Sequence, residues 1–159
     1  MSSWRAVEQE QPDLAREVRA RMDAHVHKVM ATLRADGSPR LCGTEIVFHG
    51  EDLWLAGMTG ARRFVDLRRD PRVAVHSCPD DVPGWTGDAR LSGTAHEVTD
   101  AGVKQSIQDG APPGSPTGPY ELFRVDVTEL VSVALDTGGE SIVVTSWHPG
   151  GPLRRSTRS

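Results

Sequence analysis

Leu55-Ala56-Gly57-Met58-Thr59-Gly60-Ala61-Arg62-Arg63-Phe64 is the stretch where a strand runs out into small residues and a helix begins. The first N–H groups of a helix lack intrahelical acceptors, and the helix dipole makes that end positive. Acids are favoured there, yet the first turn carries Arg62 and Arg63. An anion would resolve the conflict. A phosphate could accept N–H bonds from the helix start, a hydroxyl bond from Thr59 and two guanidinium forks. Gly57 and Gly60 would let backbone approach a bulky ligand closely. The competing reading is two solvated arginines, with Asp66 within reach of Arg62 at i+4.

Upstream, the period is that of strands. From His25 to Arg34, Val26, Lys28, Met30, Thr32 and Arg34 alternate with His27, Val29, Ala31 and Leu33. Asp36-Gly37 is a tight-turn signal, and a second strand is expected from about Arg40 to His49. Gly50-Glu51-Asp52 turns the chain into a third strand over Leu53–Met58, which would complete an antiparallel meander. Further back, Leu14, Val18 and Met22 recur at helical spacing, predicting a helix over about 9–24 with Pro12 in its first turn.

Downstream, a short helix over Ala61–Arg69 is stopped by Asp70-Pro71. A strand over Arg72–Ser77 follows, then a loop with Trp85 near its centre, then a regular strand over Ala89–Val98. Thr99-Asp100 caps a helix ending near Gly110, and a Pro/Gly loop leads to strands over about 122–134 and 141–147. The basic tail, about 150–159, is expected to fray. The chain therefore predicts one mainly β domain over 1–159. It would be an antiparallel, Greek-key-like barrel of six to seven strands with short helices.

Bulk properties narrow the function. The net charge of −4 and pI near 5.8 speak against nucleic-acid binding, which needs a basic face. Lys28 and Lys104 are the only lysines, an arginine bias typical of GC-rich genomes. Cys42 and Cys78 have no metal or disulfide spacing. No run of apolar residues is long enough to predict a membrane span, and no secretory leader is expected. The cytoplasm is the expected compartment.

Hairpin, strand, small residues, basic helix start, then Leu67-Arg68-Arg69-Asp70-Pro71-Arg72-Val73 and another strand: this order resembles the FMN-binding split-barrel family. Its members include the pyridoxamine 5′-phosphate oxidases and the actinobacterial flavin- and deazaflavin-dependent reductases. The resemblance covers Val26–Val98 well and Leu122–Trp147 more loosely. It implies a split barrel working as a homodimer with FMN, or the deazaflavin coenzyme F-420, between subunits. It puts the cofactor phosphate at Arg62 and Arg63 with Thr59 nearby. It puts the ring against Met30, Ala31 and Thr32, then Thr44 and Glu45, then Ala56, Gly57 and Met58. Trp147-His148-Pro149-Gly150-Gly151-Pro152-Leu153-Arg154-Arg155 departs from the oxidase's arginine- and histidine-bearing ending, which argues against vitamin B6 oxidation. The implied activity is hydride transfer to or from a small organic molecule, with the hard chemistry carried by the cofactor.

Other residues keep two readings each. Trp85 could stack on the ring or a substrate, or pack across the dimer. Trp147 has the same choice between ligand and barrel packing. His25 and His27 could share a strand face, but no third metal ligand accompanies them. A non-catalytic flavin or haem store is the alternative function, with His76, His96 or His148 as axial ligand. A dimeric structural or stress protein with an empty cleft is a third. Arg154, Arg155 and Arg158 serve solubility or meet an anionic cofactor tail.

Overall fold

The computed structural model describes residues 2–159. Two helices open the chain, α1 (Trp4–Glu10) and α2 (Pro12–Asp23). Strands β1 (Lys28–Leu33), β2 (Pro39–Thr44), β3 (Ile46–His49) and β4 (Asp52–Met58) follow. Next come α3 (Arg62–Arg69), β5 (Arg72–His76), β6 (Gly87–Glu97) and α4 (Ala101–Asp109). The chain ends with β7 (Tyr120–Leu135), β8 (Ile142–Trp147) and β9 (Arg154–Arg158).

All pairings are antiparallel, in the order β2-β1-β5-β6-β7-β4-β3. The two ends of that path, β2 and β3, are joined by Glu45 alone. The sheet must therefore curl round until its ends meet, which makes a barrel. β7 explains why the barrel is split. One edge pairs with β6 along its length, while the other is shared: Tyr120–Val125 pair with β4 and Leu130–Leu135 with β8. A register shift opposite Ser92/Gly93 lies between the two halves. Ser2 fills the gap there, exchanging backbone hydrogen bonds of 3.2 and 2.8 Å with Val127.

Met30, Leu53, Leu55, Leu91, Phe123, Val125 and Leu130 fill the barrel, with Phe64 of α3 at one end. Trp4, Val7, Leu14, Val18 and Met22 bring α1 and α2 into the same core. Full burial of such side chains stabilises by about 1.5–3 kcal/mol each. A second cluster, Trp54, Ile107 and Leu122, seats α4 on the outer face of β4 and β7.

The mainly β barrel is as expected, but several elements differ. The helix expected over 9–24 is α2, and α1 precedes it. Gln11, held extended by the following Pro12, separates them. The strand expected over Arg40–His49 is two strands that change partner at Glu45, so the three-strand meander does not form. The tail does not fray from Gly150: β9 pairs with β8 over its whole length, bringing the strands to nine.

Candidate functional site

α3 begins as the sequence predicts. β4 ends at Met58, Gly60 turns the chain with φ +76°, and Ala61 stands at the N-cap without any side-chain hydrogen bond. The first turn holds no acid. Arg62 is exposed and Arg63 half-buried. Among the described residues no carboxylate lies within ion-pair distance of either, because the nearby acids are taken. Asp66 pairs with Arg40 and Arg69, Glu97 and Glu121 pair with Arg68, and Asp70 pairs with Arg72. The proposed i, i+4 pair between Arg62 and Asp66 is therefore absent: Asp66 points inward.

Arg63 is held by packing. Its guanidinium lies 4.8 Å over the Phe64 ring, which stacks on Phe123 at 4.9 Å. Its other wall is Gly57, where a Cβ would come within 2.2 Å of Nη2. Gly57 thus makes room for Arg63, where the sequence reading gave that room to a ligand. The Nε of Arg63 is buried without a hydrogen-bond partner. This cation is fixed by an aromatic face and a glycine notch and makes no hydrogen bond among the described residues, so its donors are free for an acceptor. These residues fit a phosphate-bearing cofactor.

Asp66 ties α3 to the sheet. It is 3% exposed and accepts hydrogen bonds from Arg40 Nε at 2.6 Å, Thr32 Oγ1 at 2.8 Å and Arg69 Nη2 at 3.2 Å. Burial alone would push its carboxyl up, but the bonds from Arg40, Thr32 and Arg69 outweigh it and hold the group at about 2.

Gly57, Met58, Thr59, Arg62 and Arg63 meet at one corner, with Met58 81% exposed. Met30 points into the core, so only its backbone is open to a ligand. Thr32 is committed to Asp66, and buried Thr44 donates to the Glu45 carbonyl at 3.2 Å. Glu45 is exposed, 3.6 Å from the His27 ring. Ala31 and Thr32 border a shallow cleft of about 310 Å³. Ala56 packs against the α4 cluster. Trp85 precedes the start of the eleven-residue β6, whereas α3 sits near its end at Glu97. At about 3.3 Å per residue the two lie roughly 30 Å apart along the strand, so one chain does not unite Trp85 with the arginines.

The histidines are engaged elsewhere. His25 contacts Asp80 at 3.0 Å. The Nε2 atoms of His76, His96 and His148 face Asp88, Asp126 and Glu129 at 3.6, 3.2 and 3.6 Å. Trp147 is fully buried and donates to Glu10 at 3.2 Å, which is barrel packing. Sequence reasoning gave no site role to Arg40, Glu97 and Glu121 and did not anticipate that they pair with Asp66 and Arg68. Their partners lie 26 to 53 positions apart, beyond any local spacing rule.

The family model described as pyridoxamine 5′-phosphate oxidase matches residues 14–134. Among solved structures, the chain is similar to a putative pyridoxamine 5′-phosphate oxidase from Listeria innocua. The identity is 18%, over 72% of this chain and 94% of that one, with a TM-score of 0.57. It is similar to HutZ, a haem storage protein from Vibrio cholerae, at 20% identity over 72% and 89%, TM-score 0.57. It is also similar to a pyridoxamine 5′-phosphate oxidase-related, FMN-binding protein from Nostoc punctiforme, at 12% identity over 96% of both chains, TM-score 0.59. Identities this low speak for the fold alone. No curated protein matches the chain.

Proposed function

The chain belongs to the pyridoxamine 5′-phosphate oxidase family, and from that premise we propose that it is an oxidoreductase that binds FMN by its phosphate at the start of α3. The observation that carries this reading is Arg63, seated on Gly57 and Phe64 with no protein acceptor for its buried Nε. Arg62, Arg63, Thr59 and the uncapped N–H groups of α3 would hold the phosphate. Bound FMN would supply hydride transfer to or from a small organic molecule. The protein's part is to orient the ring against the backbone of β1 and β4 and to exclude water.

A homodimer completes the reading. Val29 and Leu41 are exposed on the outer face of β1 and β2, and a second copy would cover them. It would also bring a second Trp85 to the ring, which one chain cannot do. We propose the cytoplasm as its compartment, in keeping with the unbonded Cys42 and Cys78. The deazaflavin coenzyme F-420 also carries phosphate and is the alternative ligand for the same corner. Haem storage is the second functional reading, raised by the likeness to HutZ. The carboxylates facing His76, His96 and His148 favour flavin over it.

Titrating the apo-protein with FMN, riboflavin and the deazaflavin tests the assignment. Two charge-assisted bonds of roughly 1.5–3 kcal/mol each would favour FMN over riboflavin by at least about 100-fold. Arg62→Ala with Arg63→Ala should weaken FMN binding far more than riboflavin binding; equal losses for both flavins would overturn the phosphate site. Oxidation of reduced nicotinamide by the FMN-loaded protein separates an enzyme from a store.

A further inference from the structure

Three charged side chains, Arg68, Glu97 and Glu121, pair where α3 closes the barrel, and Arg63 stands nearby on the same helix. Glu121 is the cross-strand partner of Gly57, the residue against which the Arg63 guanidinium lies. Cβ atoms directly opposite in an antiparallel pair lie about 5 Å apart, so the Glu121 side chain starts within reach of the Arg63 guanidinium. They do not pair. Glu121 Oε1 instead accepts from Arg68 Nη2 at 2.8 Å, while Oε2 is buried with no partner. Arg68 also binds Glu97 with two donors, one of them at 2.8 Å. One arginine thus occupies two carboxylates, and the guanidinium beside them is left unpaired.

We propose that Arg68 is a positioning residue: by engaging Glu97 and Glu121 it keeps Arg63 from being captured and so keeps it open to an incoming phosphate. The proposal rests on the reading of α3 as the phosphate site. Without Arg68, two carboxylates at the barrel end would lose their counter-ion. A part-buried carboxylate without a partner is costly, and Arg63 is the adjacent cation with donors to spare. A change of rotamer would satisfy Glu121 and withdraw Arg63 from the ligand. Arg62 is kept open in the same way, since Arg40 and Arg69 saturate Asp66 one turn further on.

The test is the ratio of FMN to riboflavin affinity, which general destabilisation of the fold does not move. Arg68→Gln should lower that ratio at least about tenfold, the scale of one charge-assisted hydrogen bond. Adding Glu97→Gln and Glu121→Gln to Arg68→Gln should restore it, because no acid then remains to capture Arg63. An unchanged ratio in Arg68→Gln, or no recovery in the triple variant, overturns the proposal. Should Arg68→Gln not fold, Glu121→Gln alone decides: the ratio should hold or rise, and a fall overturns the proposal. Failure of the phosphate site itself reads differently, as a wild-type protein that binds FMN and riboflavin equally, and that result would overturn both.

Discussion

Asp66 carries a charge at 3% exposure and keeps it because three donors converge on it. Asp66→Asn would keep the shape and remove the charge that Arg40 and Arg69 balance. A loss of about 2–3 kcal/mol is expected, measured by urea unfolding near neutral pH. The sign of the pH effect follows from its folded value of about 2, below the ordinary 3.8. The stabilisation is complete above the unfolded value and fades as pH falls from about 4 towards 2. Acid unfolding of Asp66→Asn should therefore be shallower in that window than wild type. The arginine pair at the head of α3 was readable from sequence because it breaks a local rule about helix dipoles. The Asp66 cluster was not, since Thr32 and Arg40 stand 34 and 26 positions away and each resembles a surface residue in its own segment.

Elements were legible where they carried a cap or an apolar period. Pro12 at the start of α2 and Asp100, which accepts from the Val103 N–H at 2.8 Å, are such marks. α1 does carry a cap, Ser3, whose hydroxyl accepts from the Ala6 N–H at 3.2 Å, but its seven residues are too few for a period and bury only Trp4 and Val7. The change of partner at Glu45 is invisible for another reason. Thr44 and Ile46 are buried with Glu45 exposed between them, so alternation runs on while the hydrogen-bonded neighbour changes from β1 to β4. β9 is fully exposed, so no apolar pattern could announce it; its backbone ladder alone holds it. The two terminal elements should differ sharply in weight. Trp4→Ala, which empties a site packed 4.6 Å from Phe48, should cost about 3–5 kcal/mol. Ending the chain at Gly151 should cost under about 1 kcal/mol, since β9 buries no side chain. Thermal unfolding of the two variants checks the contrast.

At the scale of the whole molecule, the outer face of β1 and β2 is the surface that the proposed dimer would cover. Leu41 is 72% exposed there, directly across from Ala31. If the proposed homodimer forms through this face, Leu41→Glu should yield a monomer where the wild type sediments as a dimer, and should weaken FMN binding in parallel. A variant that stays dimeric would move the interface elsewhere. The seam along β7 has a consequence for how the chain is made. Strand β4 must wait for residues 120–125, and Ser2 must wait for Val127. During translation the early hairpin stands with one side unfinished until residues 120–125 have left the ribosome. Such long-range closure slows folding and leaves an unpaired strand edge exposed for that interval.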